Sequence, residues 1–229
     1  MYKIESLKPG RQSWIRMANI PHGREGWTLE DCVETEPSDI ADIKKWISGI
    51  KDGKIIKATG QLTCGRGLML YGKPGHGKTT LALSIIQELM VNAPIDSFSP
   101  SPTGPVVRPC YFSTFNDVLD LKGILMEEHT DQQEALYYGM LGECENDTYN
   151  IRVLIIDDVG KEHASLSGWQ KNMLHSVLRT RFNNGLPTIV TTNVSLEGWA
   201  GLYGDATASF ANEAFKYLPI ISTKGDLRI

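Results

Sequence analysis

Gly72-Lys73-Pro74-Gly75-His76-Gly77-Lys78-Thr79 follows the pattern G-x-x-x-x-G-K-T. Ahead of it, Gly67-Leu68-Met69-Leu70-Tyr71 is a short apolar run suited to a buried strand, and behind it residues 80–89 carry helical periodicity. Strand, glycine loop and helix in this order are the context in which the pattern binds phosphate. Glycines let backbone N–H groups close around phosphate oxygens, and the helix N-terminus adds a favourable dipole. Gly72 through Thr79, with Thr80 behind them, are therefore the candidate nucleotide-binding residues. Lys78 is spaced to reach the β- and γ-phosphates, and the Thr79 hydroxyl to ligate Mg²⁺.

Outward from the loop, further apolar runs predict strands at 110–114, 153–156, 188–192 and 218–222. Helical patterns fall at 37–52, with Ser38 as N-cap and Gly53 as terminator, and at 115–128, 131–143 and 168–183. Short apolar strands alternating with helices imply an α/β fold, a parallel sheet covered on both faces. Residues 93–109 are Pro/Ser-rich and read as a mobile surface loop. Residues 1–26 show no clear period and read as an extended basic arm, with Trp14, Ile15, Met17 and Ile20 free to dock on the body or a partner.

The strand at 153–156 ends in Asp157-Asp158, about eighty residues beyond the loop. In a parallel sheet, ligands bind beyond the carboxyl ends of the strands. Asp157 is the candidate Mg²⁺ holder, through the ion's water shell, and Asp158 the group that polarises an attacking water. A plain strand-ending Asp-Asp turn is the alternative. The strand at 188–192 ends in Asn193, whose amide would lie beside the γ-phosphate, although Asn is also a good turn residue.

Composition bounds the rest. The 229 residues suffice for one sizeable core, and 41% hydrophobic with 22% charged content is ordinary for a globular chain. No apolar run has the roughly 18–20 residues of a membrane span, and the N-terminus has no signal-peptide core. The four cysteines form no C-x-x-C pair and the five histidines no metal spacing, which points to reduced thiols and a cytoplasmic chain. A net charge of −4 excludes a strongly basic nucleic-acid binder at the level of the whole chain, though not a local basic patch. Charge is uneven: Lys3, Lys8, Arg11, Arg16 and Arg24 face only Glu5 in residues 1–24, whereas residues 115–150 hold nine acids against Lys122. Different partners for different faces, or a merely solvated surface, both fit this asymmetry.

Taken together, the motifs resemble the AAA+ ATPases of the DnaC/IstB group, the helicase loaders and transposition ATPases. The resemblance runs over about residues 18–229. It rests on Ala18-Asn19-Ile20-Pro21 and Trp27-Thr28-Leu29-Glu30-Asp31, on the phosphate loop, and on residues 154–162 (Leu-Ile-Ile-Asp-Asp-Val-Gly-Lys-Glu). Residues 178–182, 186–193 and Lys224-Gly225-Asp226-Leu227-Arg228 complete it. It implies a five-stranded AAA+ core over 27–229 without a helical lid, behind the arm at 1–26. It implies ATP and Mg²⁺ as cofactors, assembly into a ring or filament with ATP between subunits, and DNA as a partner. Asn193 would be sensor I and Arg228 the sensor II-like residue.

Two departures stand out. The family's trans-acting arginine follows a segment resembling Gly204-Asp205-Ala206-Thr207-Ala208-Ser209, but here the next residue is Phe210, and no arginine lies between Arg181 and Arg228. Arg179 or Arg181 then acts in trans, or hydrolysis is slow, or a partner supplies the charge. Only about 20 residues precede the core, where loaders carry a helicase-binding domain. The resemblance implies a loader of a replicative helicase, phage or mobile-element encoded given the compact chain. An IstB-like ATPase serving a transposase and an ATP-binding assembly switch with negligible hydrolysis are the other readings. The acidic 115–150 stretch suits a basic protein partner better than a phosphate backbone.

Overall fold

In the computed structural model, five strands form one parallel sheet sandwiched between two layers of helices. Residues 1–32, 35–52, 65–94, 97–98, 104, 106–161 and 168–222 are described. Strands β1 (Gly67–Tyr71), β2 (Cys110–Thr114), β3 (Val153–Val159), β4 (Thr188–Thr192) and β5 (Phe215–Pro219) lie in the order β2-β3-β4-β1-β5. Every neighbouring pair is parallel. Helices α1 (Pro9–Met17), α2 (Pro37–Lys51) and α3 (Lys78–Asn92) cover one face; α4 (Phe115–Ile124), α5 (Asp131–Leu141), α6 (Gly168–Asn183), α7 (Leu196–Tyr203) and α8 (Asp205–Ala214) cover the other.

Strand side chains alternate between the two cores, as a period of two requires. Leu68 and Leu70 pack under α3, while Met69 between them joins the opposite core. Val153 and Ile155 divide from Leu154 and Ile156 in the same way. Burial on both faces explains why these strands read as unbroken apolar runs. The order β3-β4-β1 sets the carboxyl ends of three strands side by side, where a ligand site is expected.

Several expected boundaries shift. Residues 1–26 are not an extended arm: α1 is a helix started by Pro9, and Trp14 and Ile15 are buried. The Trp14 indole N–H donates to the Val106 carbonyl (2.9 Å) and its ring meets Phe98 edge-on. Arg11 closes the end of α3 by donating to the Met90 and Ala93 carbonyls. With one buried face of only two residues, α1 shows little period, which is why the sequence reads as irregular. Part of the Pro/Ser-rich stretch lies outside the described residues, but Phe98 and Val106 within it are buried anchors.

The last strand begins at Phe215, three residues before the expected Leu218, because α8 runs straight into it and Phe215 pairs with Gly67. Ser222 instead makes an isolated antiparallel bridge with Thr35. α2 starts with Pro37 behind Glu36, not at Ser38; Gly53 lies outside the described residues. α4 and α5 are shorter than predicted, and Gly142 at φ 78° closes α5. The acids Asp120, Glu127, Glu128, Asp131 and Glu134 on and between these helices are exposed.

Candidate nucleotide-binding site

The loop after β1 folds as its glycines demand. Gly75 and Gly77 sit at φ 80° and 79°, left-handed values that favour glycine. At Gly72 a Cβ would come within 2.4 Å of the Ile220 carbonyl oxygen, so no larger residue fits. α3 then begins at Lys78 and points its N-terminal donors and dipole into the loop. The buried Lys78 ammonium donates to the Gly72 and Lys73 carbonyls (2.8 and 2.9 Å) and to Asn193 Oδ1 (2.7 Å). Asn193 therefore reaches the loop from the end of β4, as its position predicts.

Asp157 ends the straight part of β3 and is 4% exposed. The Thr79 hydroxyl faces both its oxygens, at 2.9 and 3.2 Å. Burial raises the Asp157 pKa, with Thr191 and Thr79 pulling it back. A carboxylate opposed to a hydroxyl is an all-oxygen donor set that fits Mg²⁺, which takes one or two protein oxygens and completes its shell with water and phosphate. Among the described residues no His/Cys/Asp/Glu cluster forms a full protein cage for a metal.

Asp158 is held differently. It adopts φ 60°, unusual for a side-chain-bearing residue, at a break in β3–β4 pairing between Ile156 and Val159. β3 thus continues to Val159, three residues beyond the expected end, and the bulge turns Asp158 toward the cavity. Its carboxylate is ion-paired with Lys161. The sequence missed the residue that fixes this geometry. The fully buried Thr191 hydroxyl donates to Asp157 Oδ1 (2.5 Å) and accepts the Asp158 N–H (2.9 Å). Thr191→Val should lower turnover by roughly 10–100-fold, the usual loss for an outer-shell partner, and shift the Mg²⁺ titration to higher concentration. Thr191→Ser should restore both. Unchanged Mg²⁺ dependence in the valine variant would make Thr191 a packing residue only.

Gly75, Gly77, Lys78, Thr79, Thr80, Asp157, Asp158 and Asn193 line one cavity of about 590 Å³, a volume ordinary for a small-molecule site. Gly72 and Lys73 stand behind it as acceptors for Lys78, Pro74 lies in the turn that follows them, and His76 Nδ1 lies 3.3 Å from the Ile220 carbonyl. The opposite wall is Arg24, Trp27, Asp31, Cys32 and Thr35. Only Trp27 and Asp31 of these lie in motifs that the resemblance flagged, and nothing local in their sequence marks them as lining.

The arginines separate. Arg228 lies outside the described residues. Arg181 cannot reach a neighbouring subunit: it is 0% exposed. Its guanidinium donates to the Thr188 hydroxyl and to the Met140, Ile151, Arg152 and Pro187 carbonyls. Burial, with Arg152 nearby, lowers its pKa to about 9. A charged residue in register with Leu174, Val177 and Leu178 on the inward face of α6 is thus a structural post. Arg179 is exposed, with its guanidinium over the Phe210 ring at 4.4 Å and its Nε–H donating to His175 Nε2 (3.3 Å). Burial, then Arg179, lowers the His175 pKa.

The family described as IstB-like ATP binding protein matches residues 111–213, from β2 through α8. The DnaC helicase loader shares the fold at TM-score 0.56 and 23% identity, over 86% of this chain and 98% of that one. The chain thus matches the IstB-like family over residues 111–213 and shares the fold of the DnaC loader. DnaI follows the same AAA+ architecture at TM-score 0.59 and 17% identity, over 89% and 95% of the two chains. The replication initiator DnaA, solved with AMPPCP and single-stranded DNA, matches at 0.53 and 13%, over 87% of this chain and 51% of that one. At these identities the likeness shows the AAA+ fold alone. No curated protein matches the chain.

Proposed function

We propose that the protein binds ATP with Mg²⁺ and hydrolyses it within an assembly on DNA, as a loader of a replicative helicase. The observation that carries the reading is the single cavity shared by Lys78, Thr79, Asp157, Asp158 and Asn193. Mg²⁺ held by Thr79 and Asp157 would neutralise charge between the β- and γ-phosphates. Lys78 neutralises the phosphate oxygens, Asp158 takes the proton of the attacking water, and Asn193 orients that water. The DnaC loader supports the helicase role, and the DnaA complex supports ATP and DNA as ligands.

The trans charge comes from Arg179. Phe210 stands where the family's arginine is expected, and the Arg179 guanidinium lies on its ring, so a cation is returned to that place from α6. The experiment is ATP turnover against protein concentration, with and without single- or double-stranded DNA, alongside light scattering. Turnover that rises with concentration and DNA, and that Arg179→Ala abolishes while nucleotide affinity persists, is the expected result. ATP-driven assembly without turnover would favour the assembly switch instead, a reading that Phe210 in place of an arginine also supports. The IstB family match favours a second reading, a transposition ATPase. ATP-dependent polymerisation on duplex DNA, with no complex formed with a replicative helicase, would decide for it.

A further inference from the structure

Arg24 is exposed and has no anionic partner among the described residues. Its Nη1 donates to the Thr80 hydroxyl (2.9 Å) and its guanidinium stands 5.9 Å from the Trp27 ring centroid. No carboxylate of the described residues pairs with it. Asp31, across the same cavity, already accepts from the Thr28 N–H and hydroxyl, and Asp158 is paired with Lys161. Thr80 is the third residue of α3, so Arg24 sits beside the positive end of that helix's dipole and on the same cavity as Lys78. Asp31, Asp157 and Asp158 line the same cavity, but each already has a partner in Thr28, Thr79 or Lys161, so an anion between Arg24, Lys78 and the helix N-terminus would gain from all three.

The position of Arg24 is built, not incidental. Gln87, fully buried on α3, donates to the Arg24 carbonyl (3.0 Å) and accepts the Gly26 N–H (2.8 Å). The Tyr2 hydroxyl donates to the same Gln87 oxygen, and the Tyr2 N–H to the Gly26 carbonyl. Gly26 at φ 84° has the Tyr2 carbonyl oxygen 2.6 Å from where a Cβ would be. The segment is thus fastened to the helix whose first turn frames the phosphate loop, and the guanidinium arrives pre-positioned.

We infer that Arg24 binds the α-phosphate of the bound nucleotide, exchanging its Thr80 hydroxyl for a phosphate oxygen. The loop cradles the α- and β-phosphates while its lysine serves the β and γ. Thr80 follows Lys78 and Thr79 in the first turn of α3, which would put a group beside it next to the phosphate preceding those that Lys78 serves. The α-phosphate is common to ATP and ADP, so Arg24 holds nucleotide through the whole cycle rather than sensing the γ-phosphate.

The inference rests on the proposed nucleotide site, and titration calorimetry with ATP, ADP and adenosine separates the two. Arg24→Ala should weaken ATP and ADP by the same factor, roughly tenfold for a partly exposed charged hydrogen bond, and leave adenosine unchanged. Arg24→Gln, which keeps a donor for Thr80 but not the charge, should lose as much, and the loss should shrink with salt. Both variants keep the Gln87 contacts, which use the Arg24 backbone. A loss confined to ATP would move Arg24 to the γ-phosphate, and no loss for any ligand would make it a strut between Thr80 and Trp27; either overturns the inference. Wild-type protein that binds neither ATP nor ADP would overturn the nucleotide site itself, and the assignment with it.

Discussion

Arg181→Ala should leave no stably folded protein. The side chain ties α5, the start of β3, α6 and the start of β4 together, through four backbone carbonyls and the Thr188 hydroxyl. Each acceptor stranded in a dry interior costs about 1–3 kcal/mol. Losing several at once approaches the whole stability of a domain, about 5–15 kcal/mol. Arg181→Lys should be intermediate, since an ammonium keeps the charge but cannot span the same fork of acceptors. Thermal and urea unfolding by circular dichroism read the outcome, with Arg179→Ala as the neighbouring control that keeps the wild-type midpoint. A folded Arg181→Ala protein with an unchanged midpoint and lost assembly-dependent turnover would restore Arg181 as the trans arginine.

The contrast between these two arginines shows where the sequence stops being informative. Both lie in the last turns of one helix, two residues apart; period puts Arg181 in register with Leu174, Val177 and Leu178, but it does not say how a charge there is satisfied. Arg181 is inside because Met140, Ile151 and Pro187 arrive from remote segments to accept from it, and such convergence leaves no local trace. The phosphate loop is the opposite case. Its glycines, lysine and threonine must be contiguous for backbone N–H groups to surround phosphate, so the whole arrangement is written in eight consecutive residues. Asp157 and Asp158 are legible for a similar reason, as an acidic end to an apolar strand.

Thr191 is visible only as one of three threonines in β4. That its hydroxyl bridges both acids depends on a bulge in the neighbouring strand. The segment at 24–35 becomes a cavity wall only because Gln87 and Tyr2 fasten it to α3. The missed α7 and α8 are short helices joined through Gly204, and α8 passes into β5 without a turn residue. Pattern reading depends on such punctuation. The fold class survived these misses because it depends on strand–helix alternation, which tolerates boundary shifts of a few residues.

Lys78→Ala should lower ATP turnover by roughly 10²–10³-fold, the usual effect of removing one preorganised charge-stabilising donor, while the far-UV circular dichroism stays that of the wild type. Among the described residues the ammonium is the only side-chain cation that touches the loop's own carbonyls. It is poised there by Gly72, Lys73 and Asn193, so an arriving phosphate exchanges neutral acceptors for an anionic one at little reorganisation. Removing it leaves Asn193 without its partner, so Asn193→Ala in the Lys78→Ala background should add little beyond the single change. Non-additivity of that kind is expected of two groups acting as a unit. Turnover of Lys78→Ala within threefold of wild type would sink the assignment of hydrolysis to this cavity, because no other described group can replace a cation that reaches the loop from inside it.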